Sequence, residues 1–269
     1  DVINHFKRSI SETFTFNFPD YQEIVSKENS DFNTLEKLFD KSGRLAEDIQ
    51  KEFEDFKLKQ INSELTEWEK FQSVKEIMSK KAELENVLNQ IAQQNKDANN
   101  FTNSFTEEKA EIVQKQQEIE KLLNEVFSDE LKKLFDEFNE LSKQFDLRKF
   151  DQLSKQMDSR MEDLSKQIDK NMQLLKKMKI DQKVERILQS LKELSVAEKE
   201  ISQNLLKSPD IEKSIIKEKD NLLIFNGIKQ EYDQVMDLNL SLQKPLNLLN
   251  FEREFSVITS NFEKVLAEL

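Results

Sequence analysis

The sequence predicts an all-α protein: elongated antiparallel helical hairpins in a coiled-coil-rich bundle of about eight helices, with a short N-terminal β-like arm. Three observations predict it. Glycine occurs twice in 269 residues (Gly43, Gly227) and proline three times (Pro19, Pro209, Pro245), too few turn formers for a sheet with many tight hairpins. Charged residues make up 35% and hydrophobic ones 36%, the mixture that long amphipathic helices need. Apolar residues recur three and four apart over most of the chain, which is the period of a helix stripe.

From Ser11 to Pro19 the chain alternates, with Phe14, Phe16 and Phe18 on one side and Thr13, Thr15 and Asn17 on the other. Period two with aromatic and β-branched residues predicts a strand that Pro19 stops. One strand is not stable by itself. Residues 1–30 are therefore expected to be an extended arm or the last strand of an upstream domain, and residues 31–269 a helical coiled-coil and bundle region. Helical periodicity starts near Asp31, where Leu35, Leu38, Leu45, Ile49 and Phe56 form a heptad-like seam interrupted by Ser42 and Glu52. A second run carries Val74, Ile77, Leu84, Leu88 and Ile91. Before it, Thr66-Glu67-Trp68-Glu69 has the form of a capping box, though the same residues also suit mid-helix. Asn95 to Ser104 predicts a loop, because its Asn, Ser and Thr side chains compete for backbone hydrogen bonds.

Thr106, followed by Glu107 and Glu108, predicts the next helix start, with Ile112, Ile119, Leu122, Leu123 and Val126 on its inner face. Ser128-Asp129-Glu130 opens another, whose Leu131, Leu134, Phe135, Phe138, Leu141 and Phe145 make a wide stripe suited to a bundle core. After a short break at Asp146-Leu147-Arg148, a long segment holds Leu153, Met157, Met161, Leu164, Ile168, Met172 and Leu175. A softer break is expected near Ile180-Asp181, ahead of Val184, Ile187, Leu191, Leu194, Ile201 and Leu205. Ser208-Pro209-Asp210 is a stop and restart with Pro at a helix start, followed by Ile215, Leu222, Phe225, Ile228, Tyr232 and Val235. Gln243-Lys244-Pro245-Leu246-Asn247 is a second break, and Phe251 to Leu269 forms the last helix. Starting at Asp1 and stopping inside a helical pattern, the chain is expected to be a piece of something longer.

Fifty-three acids against forty-one bases give a net charge of −12, which repels phosphate backbones and anionic membrane surfaces. No nucleic-acid partner is expected. Acids and bases alternate rather than forming blocks, as on solvated helix faces laced with i,i+4 pairs. There is no cysteine, so neither disulfides nor thiolate chemistry is available. No apolar run approaches the roughly 20 residues that span a bilayer. Leu222-Leu223-Ile224-Phe225 is among the longest.

Residue types that carry chemistry are scarce. His5 is the only histidine, which excludes Cys/His zinc sites and leaves histidine-dependent triads nowhere else to run. The two glycines stand far apart, so no phosphate-binding loop forms. Acid pairs such as Glu107/Glu111 or Glu118/Glu125 lack the helix-borne His partners of a di-iron bundle. No catalytic residue, cofactor or metal is expected. Candidate interaction anchors are Trp68, Phe135, Phe138, Met157 and Met161. Trp68, at helical spacing from Leu65 and Phe71, suits an inter-helix core anchor or a binding hot spot. Met157, Met161, Met172 and Met178 fit core packing or an adaptable groove. Twenty phenylalanines ask for a thicker, irregular bundle or an apolar groove.

Two stretches resemble a known family: Gln117-Glu118-Ile119-Glu120-Lys121-Leu122-Leu123-Asn124-Glu125-Val126-Phe127-Ser128-Asp129-Glu130-Leu131-Lys132-Lys133-Leu134, and Met172-Gln173-Leu174-Leu175-Lys176-Lys177-Met178-Lys179-Ile180-Asp181-Gln182-Lys183-Val184-Glu185. Glu198-Lys199-Glu200-Ile201-Ser202, Lys244-Pro245-Leu246-Asn247 and the early Phe-rich strand before Pro19 fit in the same order. Together they are similar to an uncharacterised family of large, membrane-anchored Bacteroidota envelope proteins. The resemblance implies membrane helices and β-sandwich-like modules upstream, with this chain opening a long helical region in the periplasm. It implies no activity and no site residues. The expected function is a non-enzymatic structural or assembly module that packs helices against protein partners or its own copies, with membrane contact only through segments outside this chain. The alternative is a chaperone-like cradle whose Phe and Met line a client groove.

Overall fold

A 61-residue helix runs through the middle of the molecule, and the other elements are arranged along it. The computed structural model describes residues 2–4, 7–9, 18–62, 65–105, 109–141, 147–207 and 210–269. Two three-residue strands, β1 (Val2–Asn4) and β2 (Lys7–Ser9), pair antiparallel with Ile3 opposite Arg8. Seven helices follow among the described residues: α1 (Tyr21–Ile61), α2 (Glu67–Phe105), α3 (Ala110–Val126), α4 (Asp129–Leu141), α5 (Leu147–Lys207), α6 (Ile211–Leu240) and α7 (Glu252–Glu268). The fold is all-α, as the sequence predicts. The strand expected over Ser11–Pro19 lies outside the described residues, apart from an exposed Phe18 and the coil at Pro19.

Helix starts follow local chemistry. At α1 Asp20 accepts from the Glu23 backbone N–H at 2.8 Å while the Glu23 carboxylate accepts from the Asp20 N–H at 2.9 Å, a reciprocal capping box. That box starts the helix ten residues before the boundary expected near Asp31. The added turns bring half-buried Ile24 and Val25 and buried Glu28 onto the bundle. Thr66 and Glu69 form a second box at the start of α2, which settles that motif as a helix start. The Thr66 hydroxyl and backbone hydrogen bonds hold the Glu69 carboxyl below its usual range. Ser128 accepts from the Leu131 N–H at 3.2 Å where α3 gives way to α4.

One expected break is displaced, since α2 ends at Phe105 and α3 begins at Ala110, and another is absent. The loop predicted over Asn95–Ser104 is helical as far as Phe105. Asn95 and Thr102 are buried there against other helices, and Ser104 satisfies its hydroxyl on the Asn100 carbonyl at 2.7 Å. Tertiary packing has overridden propensity. The softer break near Ile180-Asp181 is likewise unbroken helix. No residue from 171 to 187 is exposed, so α5 is covered all round at that point and its neighbours hold it straight. That continuity turns the expected eight helices into seven.

Helices α1 and α2 form an antiparallel hairpin, which packs with α5 and with α3 and α4 placed end to end. Ion pairs show the directions: Lys57 with Asp158, and Lys176 with Glu36, set α1 antiparallel to α5. A first core extends from Leu35 to Met178 and includes an aromatic knot. Phe138 stands edge-on to Phe53 at 5.1 Å and to Phe56 at 5.6 Å, with Phe150 against both Phe53 and Phe56 of α1. This is where part of the phenylalanine excess goes.

A second core begins at Ile180 and takes in Ile187, Leu194, Phe225, Ile228, Tyr232, Val235, Phe255 and Phe262. Here α6 returns along α5, and α7 lies on α6. The connection at 241–251 is clamped by two side chains. Asn239 Nδ2 donates to the Leu246 carbonyl at 3.0 Å and its Oδ1 accepts from the Leu246 N–H at 2.7 Å. The Tyr232 hydroxyl donates to the Leu249 carbonyl and accepts from the Phe251 N–H, both at 3.0 Å.

Phe138→Ala is expected to lower stability by about 3–5 kcal/mol, the cost of removing a fully buried ring with incomplete collapse of the cavity. Urea unfolding followed by circular dichroism measures it. A loss below about 1 kcal/mol would mean that the knot does not hold α4 to α1.

Candidate functional site

The five sequence-predicted anchors separate into two groups. Phe135, Phe138, Met157 and Met161 are no more than 2% exposed and belong to the first core. Met172 and Met178 are buried in it too, so these methionines and phenylalanines do not line a client groove. The physical reason is that α3 and α4 close over the stripe that α5 presents. Trp68 is 69% exposed on the first turn of α2, which excludes the core-anchor reading of this residue. Leu58 and Phe71 are exposed close to it in sequence. His5 lies outside the described residues.

The most distinctive chemistry lies where the two cores abut, in residues that sequence reading did not single out. Lys179, Lys183 and Arg186 stand at i, i+4 and i+7 on α5, one stripe along the helix. Glu28 approaches from α1 and Glu231 from α6, with buried Asp31 of α1 one turn from Glu28. Arg186 is held from both sides. Its Nε donates to Glu231 Oε1 at 3.0 Å, its Nη2 stands 2.9 Å from the same oxygen, and its Nη1 donates to Glu28 Oε2. Lys183 Nζ donates to Gln234 Oε1 at 2.8 Å and stands 3.7 Å from Glu231. Asp31 pairs with Lys27 and accepts from Gln94 Nε2 of α2 at 3.0 Å. One belt thus ties α1, α2, α5 and α6 together.

Lys179 sits deepest, at 2% exposure, with its ammonium 5.9 Å from the centre of the Phe32 ring. Burial pushes its pKa down to about 7, with Arg186 and Lys183 adding repulsion against the opposing pull of Glu28 and Glu231. Lys183 is lowered by burial as well, against the attraction of Glu231. A cavity of about 30 Å³ adjoins Lys179, lined also by Glu28, Asp31, Phe32, Asn95 and Gln182. Its size suits water and not an organic substrate. Asp31 and Asn95 each keep one buried side-chain atom without a protein partner there.

An amine enclosed in this way lies where four helices pack together. Among the described residues, no three of His, Cys, Asp and Glu come together as a metal ion would require. A signal for the belt was present in the sequence as irregular spacing. Leu175, Met178, Ile180, Val184 and Ile187 break the three-four rhythm at the point where the cationic stripe begins.

Comparison with known protein families, with curated proteins and with solved structures finds no match to this chain.

Arg186→Ala is expected to cost about 3–5 kcal/mol, because Glu28 and Glu231 are left buried without their shared partner. Arg186→Lys restores little of it, since an ammonium cannot bridge two carboxylates as a guanidinium fork does. Denaturant titration of both variants checks this, and equal stabilities for wild type and Ala would contradict it. Lys179 gives a pH signature. Its folded pKa lies below the unfolded value of about 10.5, so its contribution is complete above pH 10.5 and is lost as pH falls towards 7. Stability of the wild type should therefore rise relative to Lys179→Met between pH 7 and pH 10.5. Thermal melts of the two proteins across that window read the difference.

Proposed function

We propose that the chain is a non-enzymatic structural module, a stiff helical rod that holds protein partners or further copies of itself by helix–helix packing. One observation carries this reading. Around the second core three helices are packed where the first core has a bundle of four, and large apolar side chains remain outside. Leu188 on α5, Ile216, Leu223 and Ile224 on α6, and Val257, Ile258 and Val265 on α7 are all exposed. Burial of such side chains against a partner helix contributes about 25 cal/mol per Å² before association costs are subtracted.

The rod character rests on α5, whose 61 residues extend about 90 Å. In this reading the heptad-like seams act as coiled-coil packing between antiparallel hairpins, and the N-terminal strands act as an extended arm. If the resemblance to membrane-anchored Bacteroidota envelope proteins holds, the rod would lie in the periplasm. Among the described residues no helix is long and apolar enough to cross a membrane, so in this reading anchoring would fall to other segments.

Small-angle X-ray scattering with multi-angle light scattering tests the proposal. A particle at least about 90 Å long is expected, with concentration-dependent self-association or crosslinks to envelope proteins in cells. Leu223→Lys with Val257→Lys should abolish the association and leave the circular dichroism spectrum intact. A compact monomer without crosslinks would sink the idea.

A further inference from the structure

Beyond Leu194 on α5 and Phe225 on α6 the hairpin between these helices changes character. Its buried residues there are Ile201, Ser214, Glu218 and Asn221, one aliphatic among three polar groups. None of the four belongs to the second core. Leu205 and Ile215 are only half-buried. A seam with so little apolar burial opens locally at low cost, so its polar contacts decide whether it stays shut.

Those contacts centre on two acids. Glu218 of α6, at 2% exposure, is hydrogen-bonded to Glu198 of α5. Asn221 Nδ2 donates to Glu198 Oε1 at 2.5 Å. Carboxyl groups in hydrogen-bond contact cannot both be ionised without strong repulsion, so the closed pair keeps one proton between them. We propose that this pair is a proton-operated latch: the shared proton holds the distal α5–α6 hairpin, residues 195–224, closed, and its loss lets the hairpin open.

Burial first, then the Glu198 charge and its hydrogen bond, raises the Glu218 pKa from 4.5 to about 7. Among the described residues the facing charge from α5 is Glu198. Lys199 and Glu200 of the same helix, Lys217, Lys219 and Asp220 of α6, and Glu263, Lys264 and Glu268 of α7 are exposed. The folded pKa lies above the unfolded one, so the stabilisation is complete below about pH 4.5 and is lost as pH rises through about 7. Release of that single proton makes the opening constant about tenfold larger at pH 8 than at pH 6. Opening adds Leu205 and Ile215 to the exposed Leu206, Ile211 and Ile216, which enlarges the apolar surface at this end of the rod. The latch holds whatever the rod binds.

Hydrogen–deuterium exchange of the full chain at pH 6 and pH 8, corrected for intrinsic exchange, tests it by peptide. Amides of residues 195–224 should lose about tenfold in protection at pH 8, while those of residues 35–91 stay unchanged. Glu218→Gln should stay protected at both pH values, because a neutral amide replaces the protonated acid. Glu198→Gln should shrink the pH difference without abolishing it, because burial of Glu218, the largest cause of its raised pKa, remains. It serves as the second variant if the first does not fold. Equal protection of 195–224 at both pH values in the wild type would overturn the latch. So would a loss confined to residues 173–190 around Lys179, or an undiminished pH difference in the Gln variants.

Discussion

The guanidinium of Arg186, shared between Glu28 and Glu231, fixes how the two halves of the molecule meet. Helix α1 belongs to the first core and α6 to the second, and both reach the same side chain of α5. An ion cluster of this depth is not a strong source of net stability, because each charge has lost its hydration and the mutual attraction roughly compensates. Its effect is on alternatives. Sliding α6 by one heptad along α5 would carry Glu231 away and leave Arg186 and Glu28 buried with unbalanced charge. Coiled-coil seams of Leu and Ile tolerate such slips well, since one heptad looks much like the next. The belt removes that freedom for α1 and α6 together.

The geometry of α5 explains why a joint is needed. At 3.6 residues per turn, the stripe that includes Leu164, Ile168 and Leu175 and the stripe that includes Ile187, Leu194 and Ile201 lie about a third of a turn apart around the helix. The first core and the second therefore grip different sides of one continuous rod. Where the grip changes, neither stripe is complete, and the intervening faces are covered but polar. Lys179, Lys183 and Arg186 occupy the sector between the two stripes. A sharp break at this point would have separated the molecule into two bundles free to turn against each other. A covered, charged, unbroken helix keeps them in one fixed relation.

Class and most element positions were legible in the sequence because periodicity and capping are local. The seam from Leu35 to Phe56, the cap at Ser128, the restart at Asp210 and the clamp region around Pro245 all depend on residues within a few positions of one another. The errors arise where distant residues decide. Asn95 to Ser104 is a poor helix by propensity, and it is helical because Asn95 and Thr102 are enclosed by neighbouring helices. The change of stripe at Met178–Ile180 produces the same irregular spacing as a hinge, so sequence alone reads it as one. Trp68 misled in the opposite direction, since helical spacing from Leu65 and Phe71 does not say which side of α2 meets the bundle. The charged residues of the belt and the Glu198/Glu218 pair were not singled out for a further reason. Lys, Arg and Glu on a helix usually face water, and burial of Glu28, Lys179, Lys183 and Glu218 emerges only when three helices are brought together.

These features grade the rod from one end to the other. The first core is thick and aromatic, the belt is ionic, the second core is thinner, and the distal α5–α6 hairpin keeps a single buried aliphatic, Ile201. Apolar burial per turn of α5 falls in the same direction, and the free energy of local opening falls with it. Exposed apolar residues follow the opposite gradient and gather on the helices around the second core and beyond it. On the proposed reading, the thick first core would mount the rod and the thinner end, with its exposed apolar side chains, would make the contacts. Both gradients follow from where α5 exchanges one set of partners for another.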